Sequence, residues 1–348
     1  MIARRLARSF LLEPAPPGRL ADVVAAVGLI QAQAKEAAEL GLALRVEGAT
    51  AADVRRELYE RRSLVKTWAL RSTLHLVPAD EAPLWAAALR GPEPYWESRE
   101  WRDRHGLSAR EATRLFDAIA DALDGACLTR VELAEEVERR LGRRIEKLRS
   151  GWGELLHPCA LMGTLCFGPP RGGSVTFVRA DQWLGGWTEH DPHAARREVL
   201  RRYLRAYGPA KRDDFRRWSG YGRDAARTLF AEAELEQVRV EGTRTWLLAG
   251  DRGGFGAERT SVHLLPRYDA YVLGFRPREP LLPPAVQERI AADPKGKFES
   301  VTGMQPLLVD GVVTGFWSSG EVEHVLPLPR GRARALRLAV KRVAEIVN

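Results

Sequence analysis

Residues 196–250 read in the order helix, helix, tight turn, helix, hairpin, and few small folds satisfy that order. An amphipathic run over 196–207 stops at Gly208-Pro209, and a second run covers 211–218. Ser219-Gly220-Tyr221-Gly222 then turns the chain into a third run at 223–233. Two β-like stretches, 236–240 and 243–248, meet at Glu241-Gly242, a hairpin turn. A helix-turn-helix followed by a β-ribbon is a winged helix, and such modules place a helix in a DNA groove.

The same order recurs twice more. Residues 108–123 and 129–141 read as helices opened by Ser108 and Thr129, with Glu111 in the capping-box position of the first. A third helix is expected at 153–162, and strands at 164–168 and 174–179 flank a tip of Pro169-Pro170-Arg171-Gly172-Gly173. At the N-terminus, helices are expected at 3–10, 20–27, 35–46 and 52–61, with 64–70 and 73–77 pairing as the wing. Beyond 253 the pattern turns to β, with strand-like runs at 262–265, 270–275 and 306–318 and a closing helix at 332–347. Asp310-Gly311 inside the last run is a type I′ signal. The expected architecture is therefore α+β: three tandem winged helices at 1–98, 99–188 and 189–252, then a small β-barrel with a C-terminal helix at 253–348.

Charge fits a nucleic-acid partner, at +8 with a pI near 9.7, although the excess is small against 54 basic and 46 acidic side chains. Its placement says more. Residues 196–217 gather nine Lys and Arg against three acids, and a second basic cluster runs from Arg139 to Arg149. A charge run is also how a solvated helix face looks. No apolar run approaches the ~20 residues that cross a bilayer, and the basic start at Met1-Ile2-Ala3-Arg4-Arg5 lacks a signal-peptide core, so a cytoplasmic protein acting at the nucleoid is expected. Cys127, Cys159 and Cys166 form no pairing framework and are read as buried, reduced thiols. His157-Pro158-Cys159 with Cys166 lacks metal-ligand spacing, and no phosphate-loop, nucleophile-elbow or dinucleotide motif is present, so neither metal nor cofactor is expected.

Gln31 and Gln33 stand between two expected helices. Two residues apart on a helix they would project about 200° from each other, but a break at Gly28 allows both amides to converge. From the residues alone, one exposed glutamine and one helix cap is the simpler reading. Arg71, Thr73 and His75 alternate along the expected wing strand and would share one face. His75 on the edge of a core is an equal alternative, and Lys66 and Arg71 are the better phosphate contacts. Asp269 either orients a catalytic group or forms a turn after Pro266. Lys35 beside the glutamines invites a Schiff-base role, but a lone lysine next to an acid reads as surface.

Ile30-Gln31-Ala32-Gln33-Ala34, Leu40-Gly41-Leu42, the stretch Thr67-Trp68-Ala69-Leu70-Arg71-Ser72-Thr73-Leu74-His75-Leu76-Val77, Tyr203 to Ala210, Leu264-Leu265-Pro266-Arg267-Tyr268-Asp269 and Leu308-Val309-Asp310-Gly311 together resemble the winged-helix DNA glycosylases of the AlkZ/YcaQ type, in the right order over almost the whole chain. The resemblance implies three winged helices and a C-terminal β-barrel. It also implies a Gln-x-Gln catalytic motif, here Gln31 and Gln33, which points to the AlkZ-like branch. Ser72 stands where glycine is common. The activity implied is monofunctional hydrolysis of the N-glycosidic bond of cationic N7- or N3-alkylated purines, bulky or cross-linked, in duplex DNA. The candidate DNA contacts are Lys66, Arg71, Thr73, His75, Lys211, Arg212 and Arg267, and the enzyme is expected to act as a monomer without metal or cofactor. The alternative is a non-catalytic winged-helix regulator or architectural protein, in which the glutamines are incidental and the basic faces carry the function.

Overall fold

A computed structural model describes residues 1–149, 153–254, 260–275, 279–292, 304–318 and 321–347. Along the chain, α1 (Ile2–Arg8), α2 (Leu20–Val27), β1 (Ile30–Gln31), α3 (Lys35–Ala43) and α4 (Ala51–Tyr59) precede a hairpin of β2 (Leu64–Trp68) and β3 (Leu74–Pro78). Next come α5 (Ala82–Arg90), α6 (Arg99–His105), α7 (Ala109–Ala122), β4 (Leu128–Thr129), α8 (Arg130–Leu141), α9 (Glu146–Arg149), α10 (His157–Leu161) and the hairpin β5 (Cys166–Arg171) and β6 (Ser174–Val178). The third stretch holds α11 (Ala180–Trp183), α12 (Pro192–Tyr207), α13 (Arg212–Ser219), α14 (Arg223–Glu232), β7 (Leu235–Val240) and β8 (Thr243–Leu248). It ends with β9 (Val262–Leu264), α15 (Ala270–Gly274), α16 (Pro284–Ala291), β10 (Pro306–Val309), β11 (Val312–Ser318), β12 (Glu321–His324) and α17 (Ala333–Val347).

Helices begin where side chains can satisfy the first free N–H groups. At α7 the Ser108 hydroxyl accepts from the Glu111 N–H, and the Glu111 carboxylate accepts from the Ser108 N–H at 2.9 Å. Thr129 and Glu132 repeat the exchange at α8. These donors hold both carboxyls below the usual glutamate range. Between α7 and α8, β4 pairs with β6, and between α12 and α13 Ala210 bridges Trp246 of β8. In both places a short extended link before the second helix pairs with the hairpin that follows the third.

Two compact units divide the chain: Met1–Arg55 with Leu200–Asn348, and Arg56–Val199. In the Arg56–Val199 unit the strands run β3–β2–β5–β6–β4, and Lys66 opposite Phe167 joins the two expected wings into one sheet. Beneath it lies a core that includes Trp68, Leu115, Ile119, Leu133, Leu155 and Phe177. The helix expected over 153–162 is shorter, confined to His157–Leu161 after Gly153 at φ +68°.

The other unit departs from expectation in two ways. Residues 270–275, expected as a strand, contain the helix α15. Its apolar run fits a buried strand or a buried helix equally well, and the Asp269 carboxylate settles the matter by accepting from the Tyr271 N–H at 2.9 Å as an N-cap. The expected barrel is also not closed among the described residues. The sheet order is β12–β11–β10–β9, antiparallel and open, with a bulge between Leu307 and Leu308. Four short strands leave two edges, and one face is sealed by packing instead: Leu308, Val313 and Phe316 bury against Leu6, Tyr271 and Phe275. The turn expected at Asp310-Gly311 forms with φ +52° and +83°, the signature of type I′.

Candidate active site

Gly28 ends α2 in the left-handed conformation at φ +72°, and Leu29 follows at φ +82°. The Leu29 N–H bonds back to the Val24 carbonyl at 3.1 Å, closing the helix end. A Cβ on Gly28 would sit a tight 3.2 Å from the Trp218 ring, so both the φ and the contact favour glycine. Two successive left-handed residues turn the chain out of the helix into extended backbone. The strand β1 ends at Gln31 and the chain bends at Gln33, and the two amides meet across that bend. The Gln31 Nε2 donates to the Gln33 Oε1 at 2.9 Å. Gln31 is 8% exposed and Gln33 is open to solvent, so one amide anchors the other.

Distant residues hold both flanks of the motif. The Tyr207 hydroxyl donates to the Val27 carbonyl at 2.6 Å, fixing the end of α2 just before the turn. Downstream, α3 begins two residues after Gln33, and its far end is locked by Arg45. The Arg45 guanidinium grips Asp269 with bonds of 2.9 and 2.7 Å and also donates to the Gly41 carbonyl at 2.5 Å. Both side chains of this pair are wholly buried. Gly41 allows the approach, since a Cβ there would lie 3.3 Å from the Asp269 carboxylate and from Pro266. Arg342 of α17 donates to the carbonyls of Ala43, Val46 and Ala49 at 3.2, 3.2 and 2.9 Å, placing a cation at the negative end of α3. Burial, then the Arg45 charge, pushes the neighbouring His263 down to about 4, so its imidazole is neutral. Asp269 thus caps α15 and, through Arg45, anchors the far end of α3. Lys35 lies 3.9 Å from the buried Glu39, which Arg55 also binds in a fork at 3.1 and 2.8 Å.

An AlkZ-like DNA glycosylase family model matches residues 24–346. An interstrand DNA cross-link repair glycosylase of Streptomyces sahachiroi is 32% identical, covering 100% of this chain and 95% of that protein. The solved structure of Streptomyces sahachiroi DNA glycosylase AlkZ superposes with a TM-score of 0.83 at 31% identity, covering 99% of this chain and 95% of that one. The chain belongs to the AlkZ-like DNA glycosylase family. It is a DNA glycosylase, and the reading as a non-catalytic regulator is set aside.

In this AlkZ-like glycosylase the remaining candidates fall into two sets. Arg267 is exposed beside Tyr268, whose φ is +60°. Arg212 is exposed at the start of α13, and the half-buried Lys211 precedes it, its N–H donating to Asp214 at 2.8 Å. These belong to the same unit as Gln31 and Gln33. Lys66, Arg71, Thr73 and His75 belong to the other unit.

There the expected shared face of Arg71, Thr73 and His75 does not form. Arg71 and Ser72 occupy a tight turn at φ +54° and +56°, and β3 starts only at Leu74. Ser72 takes a backbone conformation that favours glycine, the residue the family resemblance leads one to expect there. His75 is 2% exposed, its Nδ1 2.9 Å from the Thr73 carbonyl. Burial first, then the Arg71 charge, pushes it down to about 3, so it is a neutral core residue beneath the Arg71 turn. Lys66 is half-buried with its ammonium 5.3 Å from the centre of the Phe167 ring.

Cys159 and Cys166 are buried, and burial pushes the Cys159 thiol up to about 12; Cys127, expected to be buried, is exposed near a strand end. His157 bonds through Nδ1 to the Tyr95 hydroxyl at 2.7 Å. No group of three or more potential metal ligands occurs among the described residues, and none of their helices is long and apolar enough to cross a membrane. Much of the basic cluster at 139–149 is neutralised on site, with Arg139 and Arg140 on Glu136 and Arg149 on Glu138. Tyr207, Arg45 and Arg342 support residues 180 or more positions away, and no local pattern in the sequence marks any of the three for that role.

Proposed function

We propose that the protein hydrolyses the N-glycosidic bond of cationic N7- or N3-alkylpurines in duplex DNA, including bulky and cross-linked lesions, as a monofunctional enzyme. The observation that carries this reading is the anchored amide pair. The Gln33 carbonyl accepts from Gln31 and keeps a lone pair, and its NH₂ keeps donors. Such an amide can hold a water and face a developing oxocarbenium ion, but it is too weak a base to replace a carboxylate. An alkylated purine already carries positive charge and leaves without a general acid, so the chemistry asks for no more than this. The name of the Streptomyces sahachiroi relative supports cross-links as substrates.

The element order supports three winged-helix modules at 1–98, 99–188 and 189–252. Arg71, Lys66, Lys211, Arg212 and Arg267 serve as phosphate contacts, and Thr73 and His75 support the Arg71 turn. The test is release of N7-methylguanine from a defined duplex by wild type, Gln31→Ala and Gln33→Ala. Loss of release in both variants with duplex binding retained supports the assignment. Comparable release of uracil by wild type would overturn it, because uracil, a neutral base, must leave as an anion that a proton or hydrogen-bond donor stabilises, whereas a cationic alkylpurine leaves neutral.

A further inference from the structure

A groove of about 1000 Å³ opens along α3, on the side bounded by the C-terminal sheet and α17. Its walls are largely apolar and include Leu40, Pro266, Phe316, Trp317, Val340 and Ala344. Trp317 is fixed there by its indole N–H, which donates to the Leu265 carbonyl at 2.8 Å. The volume is at the upper end for small-molecule pockets, far more than a methyl group requires.

Two observations say what fits it. First, Glu36 and Leu40 bring α3 into the wall, and Glu36 stands only three residues after Gln33. Three residues of chain span at most about 11 Å, so the Glu36 end of the groove lies within that reach of Gln33, although neither glutamine lines it. Second, the margin is mostly acidic. Glu36 and Glu321 are exposed, Glu323 is engaged by Arg289 at 2.7 and 3.3 Å, and among the described residues Arg267 is the lining cation. Carboxylates repel a phosphate backbone, so Glu36, Glu321 and Glu323 disfavour a DNA strand along the groove, and of its lining residues only Arg267 is proposed above to meet a phosphate. An apolar wall rimmed by carboxylates suits an uncharged or cationic aromatic group.

We propose that this groove receives the apolar substituent of a bulky alkylated base while Gln31 and Gln33 act at its sugar, which makes α17 and β11 determinants of lesion size. The proposal rests on the function proposed above. It is tested with two duplexes, one carrying N7-methylguanine and one carrying an N7-guanine adduct with a three-ring aromatic group. Wild type should release both. Ala344→Trp, a substitution at an exposed helix position, should lower the kcat/KM ratio of aromatic to methyl lesion at least about tenfold, the usual effect of mismatched pocket volume, through KM of the aromatic lesion. Val340→Trp fills the same groove one turn earlier and should do likewise, and it decides the matter if Ala344→Trp does not fold. A ratio unchanged in a folded variant overturns the proposal, as does an equal loss on both lesions or a wild type that releases only the methyl lesion. A wild type that releases neither lesion overturns the proposed function itself.

Discussion

Helix α3 and helix α8 are fixed by opposite kinds of contact. The ends of α3 depend on partners far along the chain: Asp269 is 224 residues from Arg45, and Arg342 is 299 from Ala43. The turn that leads into its motif depends on Tyr207, 180 residues from Val27. At α8 the contacts are local, with Thr129 and Glu132 closing the capping box and Glu136 meeting Arg139 and Arg140 one turn on. The difference follows burial. An exposed ion pair exchanges one solvated state for another and gains little. A wholly buried pair such as Arg45–Asp269 leaves an uncompensated charge if either partner is lost. The region carrying the glutamines is therefore held by contacts that are few, distant and costly to break.

The largest expected effect tests this directly. Asp269→Asn should cost about 3–5 kcal/mol, the range for breaking a buried pair, read as a lowered urea midpoint, whereas Glu136→Gln should leave the midpoint unmoved. Equal midpoints for the two variants would erase the contrast.

The next effect is set by pH. Burial depresses His75 to about 3 and His157 and His263 to about 4, so the fold accepts only their neutral forms. Because these pKa values lie below the unfolded value near 6.5, the stability tied to neutral imidazole is complete above that pH and is lost as pH falls toward 4. At pH 5 each histidine should cost roughly 2 kcal/mol by linkage. Two of the three belong to the Arg56–Val199 unit, so amide protection, taken relative to intrinsic exchange at each pH, should fall more there between pH 7 and pH 5 than in the unit with the glutamines. Stability unchanged between pH 7 and 5 would contradict the buried, neutral placement.

The smallest effect is local. Ser72→Gly relieves a left-handed residue at φ +56° and should raise stability by roughly 0.5–1 kcal/mol, after allowing for the greater freedom of glycine in the unfolded chain. A lowered thermal midpoint would show that the Ser72 side chain contributes more than its backbone costs.

Legibility divides along the same line. Ser108 with Glu111, and Asp310-Gly311, announce structure that forms within four residues, and both form where expected, as does the helix opened by Thr129; its capping box with Glu132 is seen only in the structure. Residues 270–275 were ambiguous because an apolar run carries no period once every face is buried. The wing strand at Arg71 was misplaced because two left-handed non-glycine residues give no sequence signal.

The helix–hairpin order of 108–141 and 196–248, the Ser108 cap and the type I′ turn came from local sequence, since these rest on neighbours three or four residues apart and on hydrophobic period. The Gln-x-Gln motif was marked only by the family resemblance, and the helices α5, α6 and α16 were not expected. That the two amides meet rather than diverge was decided by the tertiary structure. Their convergence needs Gly28 and Leu29 held left-handed beneath Trp218 and Tyr207, and α3 drawn onto Asp269 by Arg45. Contacts separated by hundreds of residues leave no period and no spacing to read; they exist only once burial makes each partner indispensable to the other.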